Sequence, residues 1–526
     1  MALSVPSLFV VGSAFIDASD VWRHLVNTVL KDYLINSCWL ILGVGTGVAL
    51  IGLSTAWLIS LCDFPGRAPL AGALILPLAM PAYLLAYTYG SFLDFFGPLQ
   101  TGLRQLFGWQ SAPDYWFPEI RSLGGAALML ILVLYPYVFM LARVAFQQQA
   151  NCALEASRSL GCSPWQSFWQ ISLPLARPAI AAGTALALME TLSDFGTVEY
   201  FGVNTFTTGI FKAWFDFGEP AAAAQLGTAL LGFIVTLILL EQYSRRQARY
   251  YHTTNRQHSP NRYVLNPIQT LFAWCICGLP LLLALVLPSA YLLWLAITNS
   301  KADPLYWALT RHSFTLAGVT ALFALTTALV LSYSKRLASG PFLNTAVHLA
   351  SLGYAIPGAV IAVGVLLPAG YLDQGLARFH HHLWGSPTSW VVSGTLSVLI
   401  FAYLVRFLAV ALGSVDTGLT KIKPSLDEAA RGLGKTQWRL FPEVHFPLLR
   451  QALLSAFLLV FVDVTKELPA TLILRPFNFD TLAVRLYQYA SDERLAAAAL
   501  PALTIVALGL LPACLLALNT QTAPDK

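Results

Sequence analysis

Residues 154–180 read "LEASRSLGCSPWQSFWQISLPLARPAI" and residues 427–453 read "DEAARGLGKTQWRLFPEVHFPLLRQAL". The two align at a constant offset of 273 without a gap, and 11 of the 27 positions are identical, among them Glu155/Glu428, Ala156/Ala429, Leu160/Leu433, Gly161/Gly434, Trp165/Trp438 and Pro174/Pro447. At an offset of 276, Trp57 meets Tyr333 and Pro65 meets Pro341, so the relation runs through most of the chain. The tail "GLGKT" at 432–436 imitates a phosphate loop. Such a loop needs G-x-x-x-x-G-K-[ST] between a strand and a helix. Ala429 stands at the first glycine, no strand signal precedes it, and the first copy also lacks the lysine. The expectation is that this chain binds no ATP or other cofactor and that the repeated stretch serves another purpose.

The surroundings are apolar. The 526 residues are 57% hydrophobic and 11% charged, against about 25% charged in a soluble protein. Runs near the roughly 20 residues needed to cross a bilayer occur at 36–60, 68–92, 123–146, 178–200 and 226–241. They recur at 271–297, 313–333, 345–368, 389–413, 451–473 and 496–518, and a short run at 2–16 opens the chain. This predicts an all-α polytopic membrane protein of about 12 spans. It would be built from two parallel six-helix repeats, 1–241 and 271–526, joined by a basic linker at 242–270. An even number of spans per repeat puts the pseudo-two-fold axis along the membrane normal. Alternate loops hold 17 Lys and Arg on one side and 11 on the other. The more basic side, with both termini, is therefore assigned to the cytoplasm. The net charge of +5 then sets orientation and does not point to nucleic acid. The seven cysteines show neither a disulfide framework nor zinc spacing. Pro6 aligns with Pro288, but nothing before it matches 271–282. A truncated or peripheral first helix, or a start site assigned too late, is expected.

Each repeated stretch lies in a basic loop between spans. Glu and Ala favour a helix, and Gly161 and Gly434 break or cap it. A short amphipathic segment with Trp165 or Trp438 follows, ended by Pro174 or Pro447 before the next span. A short helix along the membrane face, with aromatics and a fixed break, suits a groove on a partner. Anchoring to lipid headgroups is the bland alternative. Two copies at one spacing favour a two-fold symmetric partner.

Glu155, Ala156 and Gly161, and again Glu428, Ala429 and Gly434, each with its later proline, resemble the coupling-loop motif of ABC importer permeases. Ser157 departs from the alanine usual at the third motif position. "ETLSDFGTVEYFGVNTFTTGIFKAWF" (190–215) and "DVTKELPATLILRPFNFDTLAVRLYQYASDERL" (463–495) resemble the fused two-half permeases of ferric-iron ABC importers, over essentially the whole chain. The resemblance implies a type I permease fold in the inner membrane and no enzymatic activity in this chain. It also implies two copies of a separate cytoplasmic ATPase that uses ATP, and a periplasmic protein that delivers Fe3+. Related permeases handle thiamine, sulfate, polyamines or phosphonates. The competing class is an ion-coupled secondary transporter, which has no use for paired docking loops. No Ser-His-Asp or Cys-His pattern is placed for catalysis.

Glu190 and Asp194 are four apart, on one helix face, and the offset of 273 carries them to Asp463 and Glu467. Intramembrane carboxylates are costly and usually face a bundle interior or water. Hard cations take oxygen ligands. A translocation path through these four residues is one reading. Structural pairing, with Lys466 or Arg406 neutralising Glu467 or another carboxylate, is the other. His380, His381 and His382 fall in a predicted periplasmic loop, as metal ligands or as a solvated tract, and no metal site is assigned.

Overall fold

The computed structural model describes residues 5–13, 19–148, 157, 159–246, 262–298, 304–337, 340–384, 391–433 and 435–521. Among them, ten helices are long and apolar enough to cross a membrane, and an eleventh span results if Arg67–Ala79 and Ala82–Phe107 are taken together. The opening run forms the nine-residue helix Val5–Ser13, about 14 Å long. The described strands are two residues each, Cys62–Asp63 and Tyr263–Val264, paired in parallel. Beside them the Trp274 indole N–H donates to the Pro65 carbonyl at 3.0 Å.

Two spans read as straight in the sequence are broken. The run at 68–92 bends by 89° between Arg67–Ala79 and Ala82–Phe107. The run at 345–368 divides into Pro341–Ser351, a 3-10 turn at Leu352–Ala355, and Gly358–Trp384. The cause is the same in both. Proline has no N–H to donate and pushes the residue before it out of the helical region. Met80 before Pro81 and Ile356 before Pro357 are accordingly extended, at ψ 115° and 127°. His380, His381 and His382 are thereby corrected from a loop to the C-terminal part of Gly358–Trp384, where the His380 ring stacks on Trp384.

The described chain gathers into two compact units. One comprises Met1–Val21, Ile210–Thr228 and Asp303–Leu486, and the other Trp22–Gly209, Ala229–Ala302 and Tyr487–Lys526. Inside the first, Val5–Ser13 lies along Gly358–Trp384. Phe9 meets Tyr371 at 6.4 Å between ring centroids, and the Thr228 hydroxyl donates to the Val10 carbonyl at 3.1 Å. Inside the second, Pro267–Thr298 lies against helices of the first sequence repeat. The Tyr89 hydroxyl donates to Leu283 O at 2.8 Å, and Phe92 meets Tyr291 edge-on at 5.1 Å. The last helix, Leu495–Gln521, packs on Arg67–Ala73 and Leu76–Ala79. The first helix of each repeat is thus seated on the helices of the other.

A Cβ at Gly364 would meet Pro6 O at 2.4 Å and Val10 Cγ2 at 2.9 Å. Gly364→Val is expected to unseat Val5–Ser13 and cost about 1–3 kcal/mol, read as a lowered midpoint of thermal unfolding in detergent. An unchanged midpoint would mean that this helix is not packed there.

Candidate docking loops and broken spans

The two repeated loops close their first helix in the same way. Gly161 has φ +79°, a left-handed conformation that glycine adopts without a Cβ penalty. The Cys162 N–H donates back to Ser157 O at 3.0 Å. In the second loop Pro424–Gly432 is helical, and the Lys435 N–H donates to Ala430 O at 3.1 Å. Donor and acceptor are each displaced by 273 from the first loop. In the first loop this six-to-one bond across the left-handed Gly161 is the Schellman closure of a helix C-terminus, and the second loop makes the same bond. Glu428 and Ala429 are exposed and Ala430 is buried. Glu155, Ala156 and Gly434 lie outside the described residues, as does the side chain of Trp438.

The residue just before each break is a leucine standing in the open, Leu160 at 83% exposure and Leu433 at 81%. Trp165, also exposed, stacks on Phe168 at 5.6 Å. An apolar side chain left this bare at the same place in both copies marks a surface that something else covers. These leucines were visible as an identity in the repeat, but sequence gave no reason to prefer them to the glycines beside them. Ser157, which departs from the usual alanine, is buried, and its hydroxyl shares a 2.9 Å hydrogen bond with that of Ser167.

Pro174 and Pro447 are expected from the sequence to end the amphipathic segment, and they do not. Helix continues through both, from π turns at Phe168–Ser172 and Phe441–His445 into Leu173–Ser193 and Phe446–Thr465. The wider turn just ahead of each proline accommodates the missing N–H and the ring without breaking the rod.

A cluster that sequence reasoning missed fixes the second loop. Arg336, at the end of Tyr306–Leu337, donates to both oxygens of Asp427 at 3.0–3.1 Å and to the carbonyls of Leu419 and Ile422. His445 Nε2 is 2.8 Å from Asp427 Oδ1, and its Nδ1 is 3.2 Å from the Tyr333 hydroxyl. Burial pushes the Asp427 carboxyl up, but the hydrogen bonds from His445 and Arg336 outweigh it and hold the group below its ordinary range. The repeat hid this cluster, because Leu154 and Ser172 stand at the first-half positions of Asp427 and His445.

The carboxylates expected within spans sit where two spans break. Leu173–Ser193 ends at Asp194, whose backbone is extended (ψ 134°), and Gly196–Tyr200 follows. Asp194 Oδ1 accepts the N–H groups of Thr197 and Val198 at 3.0 and 3.3 Å, and Oδ2 accepts the Thr197 hydroxyl. In the second half, Phe446–Thr465 ends and Pro469–Leu474 follows. Glu467 accepts the N–H groups of Ala470 and Thr471 at 3.0 and 3.1 Å and the Thr471 hydroxyl at 2.8 Å. Each carboxylate thus caps the short helix beyond its break, satisfying donors at i+3 and i+4. Because Asp194 has left the helix, it does not share a helical face with Glu190. Compensation differs between the halves. Arg406 Nη1 lies 3.5 Å from Glu467, both side chains buried, and Lys466 pairs at 2.8 Å with Asp463 instead of with Glu467. Among the described residues neither Glu190 nor Asp194 has an ion-pair partner. No group of three or more His, Cys, Asp or Glu among them is arranged to hold a metal.

The family profile described as "binding-protein-dependent transport system inner membrane component" matches the chain twice, at 49–249 and 322–522. Both ends of the second match lie 273 residues beyond those of the first, the offset found within the sequence. The chain is 23% identical over 495 residues to the Fe(3+)-transport system permease protein FbpB 2 of Haemophilus influenzae, covering 93% of this chain and 90% of that one. It is 25% identical to the ferric transport system permease protein FbpB of Actinobacillus pleuropneumoniae, over 74% of this chain and 56% of that one. It is also 28% identical to the molybdenum transport system permease protein ModB of Escherichia coli, over 38% of this chain and 86% of the relative. A relative of that last kind is little longer than one repeat.

Two outcomes are expected here. Asp194→Ala removes the cap and lowers stability by about 0.5–2 kcal/mol, whereas Asp194→Asn keeps an acceptor and most of that contribution. Equal thermal midpoints for the two would refute the capping role. Because the carboxyl of Asp427 is held low, its contribution is full at neutral pH and lost as pH falls through the depressed value. Hydrogen-exchange protection of 424–432, corrected for intrinsic rates, should hold near pH 6 and drop below about pH 4. Asp427→Asn should lower it near pH 6 and abolish most of the further drop below about pH 4.

Proposed function

Since the chain belongs to the binding-protein-dependent transport system inner membrane component family, we propose that it is the fused permease subunit of an ATP-driven importer that carries ferric iron into the cytoplasm. The family places it in the inner membrane as a multi-pass protein working with a binding protein and an ATPase. The ferric substrate is carried over from the relatives matched along nearly the full chain. Molybdenum, from the name of the single-repeat relative, is the alternative cargo.

The finer assignments are ours. Residues 1–241 and 271–526 are the two permease repeats, 242–270 is a cytoplasmic linker, and both termini face the cytoplasm. Two copies of the ATPase dock, one on each loop, and ATP is bound by them and not by this chain. Glu155, Ala156, Gly161, Trp165 and Pro174 form one docking loop, and Glu428, Ala429, Gly434, Trp438 and Pro447 the other. The observation that carries this reading is the pair of loops sharing one helix closure and one bare leucine at an offset of 273. Glu190, Asp194, Asp463, Lys466 and Glu467 line the route of the ion. On that route the first-half carboxylates hold negative charge for the cargo, while Arg406 and Lys466 neutralise their second-half counterparts.

Gly161→Asp and Gly434→Asp test the docking assignment. Each disrupts a helix closure and puts a charge into the partner groove. Membrane insertion should be normal, co-purification of the ATPase reduced, and uptake of radioactive iron lost. Parental uptake in both variants would remove the docking assignment. Leu160→Asp, which leaves the closure intact, should weaken ATPase association without lowering the thermal midpoint.

A further inference from the structure

Within the second compact unit, a cavity of about 410 Å³ opens among the loop after Ala82–Leu93, the helix Pro267–Thr298 and the turn before Leu495–Gln521. Its polar lining is almost entirely oxygen: the carboxylates of Asp94 and Glu493 and the phenols of Tyr87, Tyr200 and Tyr291, with Arg121 the one cation. Arg121 pairs with Glu493 at 3.0 Å and lies over the Tyr200 ring at 5.2 Å. Two carboxylates against one guanidinium leave the lining negative.

The phenols are held in place. A Cβ at Gly90 would come within 2.5 Å of the Tyr200 hydroxyl, so the glycine lets that phenol lie where it does. Tyr87 meets Tyr200 edge-on at 4.8 Å. Tyr87 is 1% exposed, and its hydroxyl has no hydrogen-bond partner among the described residues. A buried hydroxyl without a partner costs free energy, and here it belongs to a residue that lines a cavity. Tyr87 also lies within electrostatic reach of Asp194, which has no counter-cation among the described residues.

Hard cations select oxygen ligands, and the volume suits a hydrated or chelated ion better than a bare one. We propose that this cavity is a receiving site for ferric iron, with Tyr87, Tyr200, Asp94 and Glu493 as the oxygen donors. Each phenol that coordinates gives its proton to water as the Fe–O bond forms, and no electron is transferred. Arg121 neutralises Glu493 while the site is empty and yields it when the cation arrives. The proposal rests on the ferric-importer reading, and its test separates the two.

The full chain with its ATPase, in lipid nanodiscs, is titrated with ferric citrate and followed by the visible charge-transfer absorption of a ferric phenolate. A saturable band is expected, weakened at least about tenfold in affinity in the Tyr87→Phe/Tyr200→Phe double variant. That variant should keep its thermal midpoint and ATPase association and lose iron uptake. No band in the parent, or a parental band and affinity in the double variant, overturns the site. Iron uptake by parental cells is measured alongside. Uptake without a band removes the site and leaves the importer reading standing, whereas absence of uptake removes that reading itself.

Discussion

A helix inside a bilayer has no water to satisfy its backbone, so every N–H and C=O released by a break must find a partner within the protein. This chain breaks its spans repeatedly, and the positions of its polar residues follow from that. Asp194 and Glu467 accept the first free N–H groups of the helices beyond two of the breaks. Just ahead of the prolines at 174 and 447, a π turn takes up the mismatch. At the membrane surface the closure at Gly161 returns a donor to an exposed helix end. Asp194 and Glu467, two of the four carboxylates that suggest a translocation path in the sequence, are first of all helix caps.

The two halves meet this constraint with the same backbone and different charges. Glu467 caps its helix and is neutralised by Arg406, and Asp463 is neutralised by Lys466. Asp194 caps alone. The second docking loop is locked by Arg336, Asp427 and His445, while the corresponding first-half positions carry Leu154 and Ser172. A fused chain can diverge in this way, because its two repeats need not evolve as copies. The second half has paired its charges internally, whereas in the first half Glu190 and Asp194 have no ion-pair partner among the described residues. The cavity lined by Tyr87 and Tyr200 lies in the unit that contains those two carboxylates.

Much of this was legible in the sequence, for identifiable reasons. Gly161 was found because a left-handed helix end leaves one residue type at a fixed place, and the repeat displays that place twice. The spans were found because burial in lipid imposes length and composition together. The breaks at Pro81 and Pro357 were lost because a hydropathy window averages over the one residue that matters. Lys466 has Glu467 next to it in sequence, yet side chains three apart meet on a helix and adjacent ones do not, so its partner is Asp463. Arg406 and Glu467 are 61 residues apart, and no local pattern announces such a pair. Asp427 was hidden by the repeat itself, since comparison of two copies finds what they share.

The seating of each first helix on the other repeat sets an order of events during synthesis. Val10 is made 354 residues before Gly364, against which it comes to lie. At about 5–20 residues per second, the ribosome takes roughly 20–70 s to cover that distance. Over that interval Val5–Ser13 is without the helix that receives it, and the first repeat lacks Pro267–Thr298. Neither repeat can complete its packing as it emerges. The chain must be held in the bilayer half-assembled until its second half arrives, and a messenger cut between the repeats would yield two proteins that each require the other to fold.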